Sequence, residues 1–190
     1  MLTFDEATHV FARDGVRVPS VTQVIDAAGL MRAYDPSDTW ARDRGTRVHA
    51  AMFELTQRSE DAALACLDPD DVPYFTAAQW WMATMGVEVL GAEELVDGGS
   101  YAGWRDLRVR MRGISRPCVV DLKTGSLPWW TGLQLAGYAR PLVEPHERYA
   151  VRLSLSGEPR VVPYRDPLDY PDFMACVRVV QLQARNRSRA

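Results

Sequence analysis

The segment CVVDLKTGS, at residues 118–126, is a short apolar run that ends in an acid and a base. Its β-branched residues predict a buried strand. Alternation along that strand places Asp121 and Lys123 on one face and directs Leu122 into the core on the other. An Asp-x-Lys pair is also common on protein surfaces as a weak ion pair, so this segment alone leaves both interpretations open.

Two more β-rich runs precede this segment, and together they predict three consecutive strands. A helical spacing follows in WWTGLQLAGYARPLV. A hairpin is then predicted around Ser156-Gly157, and a closing helix in DPLDYPDFMACVRVVQLQAR. The three strand runs are VEVLGAEELV at 87–96, SYAGWRDLRVRM at 100–111 and RPCVVDLK at 116–123.

The first 86 residues contain one hairpin signal and three helical patterns. Asp14-Gly15 separates two alternating apolar segments, which predicts a hairpin. A short helix is predicted between Ser20 as N-cap and Gly29 as terminator. Longer helices are predicted in DPSDTWARDRGTRVHAAMFELTQR, at 35–58, and in DPDDVPYFTAAQWWMATMG, at 68–86. Helices, three strands, a helix, two strands and a helix predict a single α/β domain with a mixed sheet over residues 1–190.

Composition limits the class of protein. The net charge of -3 argues against a generally basic nucleic-acid-binding surface. A local basic patch remains compatible with that total, and the run at 108–116 contains Arg108, Arg110, Arg112 and Arg116. The three cysteines form no CxxC pair, which predicts reduced, buried thiols. Without a signal-peptide pattern or a membrane-length apolar run, the expectation is a soluble, cytoplasmic protein.

A second acid precedes the 118–126 segment. Asp106 lies on the preceding predicted strand, and a hairpin through Gly113 would bring it beside Asp121. Two carboxylates at one point repel each other unless a cation lies between them. Carboxylate oxygens suit Mg²⁺ or Mn²⁺. A charged lysine beside them cannot be a ligand, but it can orient a water or contact a phosphate oxygen.

Five motifs in order resemble the PD-(D/E)XK nuclease superfamily, specifically its RecB-like exonuclease branch with phage members. They are GTRVH at 45–49, GAEELV at 91–96, YAGWRD at 101–106, VVDLKTG at 119–125 and QLAGY at 134–138. The resemblance covers roughly residues 10 to 140. It implies a restriction-endonuclease-like core, with a central mixed β-sheet flanked by helices.

The resemblance also implies roles for individual residues. The implied metal ligands are His49, Asp106, Asp121 and the backbone carbonyl of Leu122. The implied catalytic residues are Asp106, Asp121, Lys123 and Glu93, where Glu93 fits the family spacing better than Glu94. The implied substrate-binding residues are Gln134 and Tyr138. Arg105 is also expected to contact substrate, and Trp129, just after the 118–126 segment, is expected to stack on an unpaired base. Packing is the alternative for Gln134, Tyr138 and Trp129. The family often has a small residue where Trp104 stands, and Trp104 is expected to point into or across the sheet.

The implied activity is a Mg²⁺- or Mn²⁺-dependent DNA exonuclease of phage or bacterial recombination, repair or replication, acting in the cytoplasm. A structure-specific endonuclease on the same fold and a non-catalytic DNA- or protein-binding module are the alternatives. The expected partners are DNA and a recombination or helicase protein, with a homo-oligomer left open and no membrane. Three scattered cysteines predict no iron–sulfur cluster.

Overall fold

A five-stranded mixed sheet forms the centre of the computed structural model, which describes residues 1–31 and 39–187. Its strand order is β4-β5-β6-β7-β8, and a separate three-stranded sheet has the order β1-β2-β3. The strands are β1 Leu2–Asp5, β2 Val10–Arg13, β3 Val16–Val18, β4 Glu88–Asp97, β5 Ala102–Arg110, β6 Cys118–Lys123, β7 Glu147–Arg152 and β8 Arg160–Pro163. The helices are α1 Val21–Ala27, α2 Thr39–Gln57, α3 Glu60–Leu64, α4 Val72–Met85, α5 Thr131–Ala139 and α6 Asp169–Arg187.

Helix α5 connects two parallel strands of the central sheet. β6 and β7 run parallel, from Cys118 opposite Glu147 to Lys123 opposite Arg152. The β4–β5, β5–β6 and β7–β8 pairs are antiparallel. Parallel strands need a long crossover, and the chain supplies a helix for it. The expected mixed α/β architecture with flanking helices is confirmed.

The central sheet is covered on both faces, so β6 is buried from Cys118 to Leu122. Val120 and Leu122 join a core with residues of α2 and α4, among them Trp81, which has no exposed surface. Val119 joins the opposite core with residues of α1, α5 and α6. A strand buried on both faces reads as a continuous apolar run, which is why residues 118–120 show no polar alternation before Asp121.

The small sheet packs beside the central one. The predicted turn at Asp14-Gly15 is confirmed between β2 and β3. Strand β1 was not predicted: its four residues alternate between apolar and polar, but so short a run is a weak signal. Trp104, expected to point into or across the sheet, is 36% exposed, and its ring meets the ring of Phe4 in the small sheet edge-on at 5.6 Å. It therefore joins the two sheets.

Capping residues fix several helix ends as predicted. Ser20 caps α1 in a capping box with Gln23, and Gly29 follows the helix with a φ of 77°. The helix predicted at 68–86 begins as a 3-10 turn over Pro69–Asp71 and continues as α4 to Gly86, which has a φ of 54°. The predicted beginning of α2 at residues 35–38 lies outside the described residues. Helix α3, capped by Ser59, was missed.

No helix within the described parts of the chain is long and apolar enough to cross a membrane.

Candidate metal centre

The candidate site lies where β5 and β6 separate. Their ladder ends with Leu107 opposite Val120. Beyond that pair, the N–H of Leu122 donates to Asp106 Oδ2 at 2.8 Å, and its carbonyl oxygen lies 3.0 Å from His49 Nε2. The Asp106 carboxylate and the His49 imidazole therefore contact the two backbone groups of Leu122 that would otherwise hydrogen-bond to a neighbouring strand.

Three side chains from three elements converge at this split. His49 comes from α2, Glu93 from β4 and Asp106 from β5. His49 Nδ1 lies 3.5 Å from Asp106 Oδ1 and 3.9 Å from Glu93 Oε1. One ligand atom from each residue lies within 4.8 Å of the other two. Of the two adjacent glutamates, the structure places Glu93 in this cluster.

A local irregularity of β4 and β5 makes this convergence possible. Ala92 and Leu107 pack in the core beneath α2. The next residues toward the split are Glu93 and Asp106, and their carboxylates lie near His49 of α2, so they are on the α2 side as well. Regular alternation would send consecutive residues to opposite faces. Instead, Glu93 has a left-handed φ of 47° between Ala92 and Glu94, which pair with Leu107 and Arg105.

Mutual electrostatics bind this cluster together. Burial opposes a charged imidazole, but the carboxylates of Asp106 and Glu93 outweigh it and raise the pKa of His49 to about 9. Burial and the neighbouring Asp106 raise the pKa of Glu93 to about 7. Burial also acts against ionised Asp106, but the positive His49 keeps the pKa of that carboxyl below its usual value. The cluster thus favours a positive charge, which a proton on His49 supplies.

Lys123 and Asp121 form a second group on the α5 side of the sheet. Lys123 Nζ lies 3.0 Å from Asp121 Oδ1 and 2.9 Å from its Oδ2. Nζ also donates to Gln134 Oε1 at 3.2 Å, and Gln134 Nε2 donates to the Tyr138 hydroxyl at 3.3 Å. Gln134 and Tyr138 are both buried. In this structure they hold Lys123 in place, rather than offering an open substrate surface.

Asp121 and Lys123 titrate as a buried pair. Burial raises the pKa of Asp121 to about 6, and the Lys123 ammonium limits that rise. Burial works against charged Lys123, but the carboxylates of Asp121 and Asp106 overcome it and raise its pKa. Lys123 therefore remains positive at neutral pH. Asp121 stands outside the His49–Glu93–Asp106 cluster, although it was expected as a ligand together with Asp106.

The expectation that Arg105 contacts substrate is not supported by its position. Its Nε and Nη2 donate to Glu94 Oε2 at 3.1 and 2.8 Å, and its Nη1 donates to the Tyr138 carbonyl at 2.9 Å. Arg105 is 5% exposed. Of the arginines from the 108–116 run, Arg108 is also bound to Glu94, at 3.0 and 3.1 Å. Arg110, Arg112 and Arg116 are exposed.

A groove of about 910 Å³ leads to the two groups of the site. His49, Glu93 and Lys123 line one part of it, and mainly apolar atoms line the rest, including those of Phe53 and Trp130. Trp129, expected as a base-stacking residue, does not line the groove and is 68% exposed. Trp130 is partly buried against the core of α1, α5 and α6.

Two arginines that sequence reasoning missed hold the loop after Lys123. Arg44 Nη2 donates to the Thr124 carbonyl at 3.0 Å, and Arg152 Nε donates to the Gly125 carbonyl at 3.1 Å. The buried Arg44 guanidinium lies 4.4 Å from the ring centroid of Trp40 and 4.6 Å from that of Tyr74. The only sequence signal was the position of Arg44 beside the GTRVH motif, which does not indicate what it binds.

The donor set of the cluster fits a divalent cation. Mn²⁺ readily accepts carboxylate oxygens and an imidazole nitrogen as ligands. Mg²⁺ prefers oxygen ligands, which the two carboxylates provide. The carboxylates of Asp106 and Glu93 raise the pKa of His49, so an ion bound here would replace the proton that His49 holds. His49, Glu93 and Asp106 are the described residues that would hold the ion.

The comparisons with known proteins add little to this description. No protein-family model matches the chain, and no curated protein matches it. Among solved structures, the chain is similar to the protein SSO0001, at 14% sequence identity and a TM-score of 0.37. The match covers 85% of this chain and 81% of that one. A similarity of this size carries no functional argument, so a function for this chain has to be inferred from its own residues.

Proposed function

We propose that this protein is a Mg²⁺- or Mn²⁺-dependent phosphodiesterase that acts on DNA, with a RecB-like nuclease core. One observation carries the proposal. The His49–Glu93–Asp106 cluster and the Asp121–Lys123 pair meet at a single backbone residue, Leu122, where two strands separate. A cation-binding group and a fixed ammonium at the end of a groove are the parts that phosphoryl transfer requires.

The chain's own residues divide the work between binding and positioning. His49, Glu93 and Asp106 would hold the metal ion, which lowers the pKa of a bound water and neutralises phosphate charge when it is present. Lys123 lines the same groove as His49 and Glu93, and Asp121 and Gln134 fix the direction of its ammonium. Positioning and charge stabilisation account for most of the catalysis of phosphoryl transfer, so few protein groups suffice.

The groove supports a polynucleotide as the substrate. Its apolar lining suits the faces of bases, while its polar end contains the cluster and Lys123. The exposed Trp129 near the loop after β6 offers an additional surface for base stacking, worth about 1–3 kcal/mol per base. Exonuclease action is the proposed mode, following the sequence resemblance to RecB-like enzymes. Recombination, repair or replication of phage or bacterial DNA is the proposed setting.

A cleavage assay with matched variants tests the proposal. End-labelled linear DNA and closed circular DNA, single- and double-stranded, are incubated with Mg²⁺, Mn²⁺ or EDTA. The proposal predicts metal-dependent loss of linear DNA that Asp106→Asn abolishes, because Asp106 belongs to the metal cluster. Glu88→Gln, an exposed change on β4, is the control and should keep full activity.

Cleavage of circles would change the mode to an endonuclease at the same site. DNA binding without cleavage in either metal would favour a non-catalytic module. Cleavage that persists in Asp106→Asn, or in EDTA, would overturn the proposed site.

A further inference from the structure

Glu94 and Arg105 form a partly buried ion pair next to the metal cluster. They are direct partners across β4 and β5, and the Arg105 Nη2 to Glu94 Oε2 distance is 2.8 Å. The side chains are 6% and 27% exposed, for Arg105 and Glu94. Arg108 donates to both oxygens of the same carboxylate. Glu94 is therefore held by two guanidinium groups.

The pair also connects the sheet to α5. Arg105 Nη1 donates to the carbonyl oxygen of Tyr138 at 2.9 Å. Tyr138 lies on α5, the helix that contributes Gln134 to the Lys123 group. Glu94 and Arg105 are thus fixed toward α5, on the face of the sheet opposite to α2.

The neighbours of this pair are two of the cluster residues. Glu93 precedes Glu94, Asp106 follows Arg105, and both face His49 of α2. Ala92 and Leu107 also lie on the α2 side. In each of β4 and β5, two consecutive side chains therefore face α2, and the side chain next to them faces α5. At Glu93 this requires a left-handed backbone with a φ of 47°, which costs a non-glycine residue of order 1 kcal/mol or more.

We propose that the Glu94–Arg105 pair is a positioning device that holds the carboxylates of Glu93 and Asp106 in the metal cluster. If either strand returned to regular alternation, the carboxylate of Glu93 or Asp106 would move away from His49. The Glu94–Arg105 pair opposes that return, because it is fixed toward α5. This inference rests on the proposed function, because it concerns the same metal site. It assigns a role to Glu94 and Arg105 that the sequence resemblance does not give them.

A second ion pair on the same two strands provides a matched control. Glu88 and Arg110 are also direct cross-strand partners, with 3.9 Å between Arg110 Nε and Glu88 Oε2. Their side chains are 66% and 54% exposed, respectively, so the pair contributes little to stability. Glu88→Gln and Glu94→Gln make the same chemical change on the same strand, one remote from the cluster and one beside it.

The experiment measures Mn²⁺ affinity of the folded chain by isothermal titration calorimetry, without DNA. Loss of a group that orients metal ligands typically lowers affinity about 10–100-fold. We expect that range for Glu94→Gln and for Arg105→Lys, and no change for Glu88→Gln. The double variant Glu94→Gln/Arg105→Met removes both buried charges, so it should recover thermal stability while its Mn²⁺ affinity remains low.

The outcomes separate this inference from the proposed function. Wild-type Mn²⁺ affinity in a folded Glu94→Gln or double variant would overturn the positioning role and leave the nuclease proposal standing. Recovery of both stability and Mn²⁺ affinity in the double variant would also overturn it, because the pair would then be purely structural. Absence of Mn²⁺ binding by the wild-type chain would overturn the proposed function and this inference together.

Discussion

The two ends of β6 differ in what lies beside them. Between Cys118 and Val120 the strand is paired on both sides, with β5 and with β7. From Asp121 to Lys123 only the β7 side is paired, and side chains of Asp106 and His49 take the place of β5. One strand thus provides the centre of the core at one end and the candidate site at the other.

This difference shows how a buried strand can carry chemistry. At the paired end, backbone bonds and apolar packing occupy the strand on every side, and its residues contribute to stability. At the split end, each backbone group of Leu122 that lost a strand partner is bound by an ionisable side chain. Those side chains are consequently fixed in position by the fold itself, which is the condition for an ordered catalytic site.

The largest expected effect at the split end comes from Lys123→Met. Loss of a charge that stabilises a transition state costs about 10²–10³ in rate, and a cleavage assay measures it. The change also leaves the buried Asp121 without its cation, which lowers the free energy of unfolding by about 3–5 kcal/mol.

The double variant Lys123→Met/Asp121→Asn separates the two effects. It should recover most of the lost stability in denaturant unfolding and remain inactive. If Lys123→Met left cleavage unchanged, the split end of β6 would have no catalytic role.

Asp106→Asn tests the metal-binding role of the split end. It replaces a charged carboxylate by a neutral amide of nearly the same shape. The new amide oxygen can still accept from the N–H of Leu122, so the split should persist. We expect Mn²⁺ affinity to fall more than about 100-fold, beyond the effect of losing an orienting group. Calorimetric titration measures it, and unchanged affinity would remove Asp106 from the ligand set.

Val119→Ala tests the paired end. Val119 has no exposed surface, and removal of two buried carbon atoms should lower the free energy of unfolding by roughly 1.5–3 kcal/mol. Mn²⁺ affinity of the folded variant should remain at the wild-type value. A clear loss of affinity would show that the two ends of β6 are energetically coupled, rather than divided between core and site.

The smallest expected effect concerns a thiol at the paired end. Burial raises the pKa of Cys118 to about 11, from 9.0. The unfolded chain therefore ionises this thiol at a lower pH than the folded chain does. The contribution of the protonated thiol to the free energy of unfolding is fully retained below pH 9.0 and declines as the pH rises toward 11.

Alkylation tests the burial of the same thiol. At a pH of about 8, below the ordinary thiol pKa, iodoacetamide should modify the partly exposed Cys66 before Cys118, as mass spectrometry would show. Early modification of Cys118 would mean that the paired end opens readily.

Alternation predicted one half of the site well. Asp121 and Lys123 lie on a regular strand, so a period of two correctly placed them together and Leu122 in the core. The glutamate was harder to predict, because the strand is irregular at Glu93. Its left-handed backbone depends on contacts with another strand and a helix, and no local sequence pattern reports those contacts.

Arginine roles were the least predictable part. Arg105 was expected to contact substrate, yet it binds Glu94 and the Tyr138 carbonyl. Arg44 was not singled out, although it is buried between two aromatic rings. A long cationic side chain can reach partners far apart in sequence, so its destination depends on tertiary packing.

Anomalous diffraction from crystals soaked in Mn²⁺ would decide whether the split is a metal centre, since it locates the ion without any assay of activity. We predict a strong peak at the split between β5 and β6, within bonding distance of His49, Glu93 and Asp106. An intact cluster with no peak there, in crystals that bind Mn²⁺ elsewhere, would contradict the assignment of this split as the metal centre.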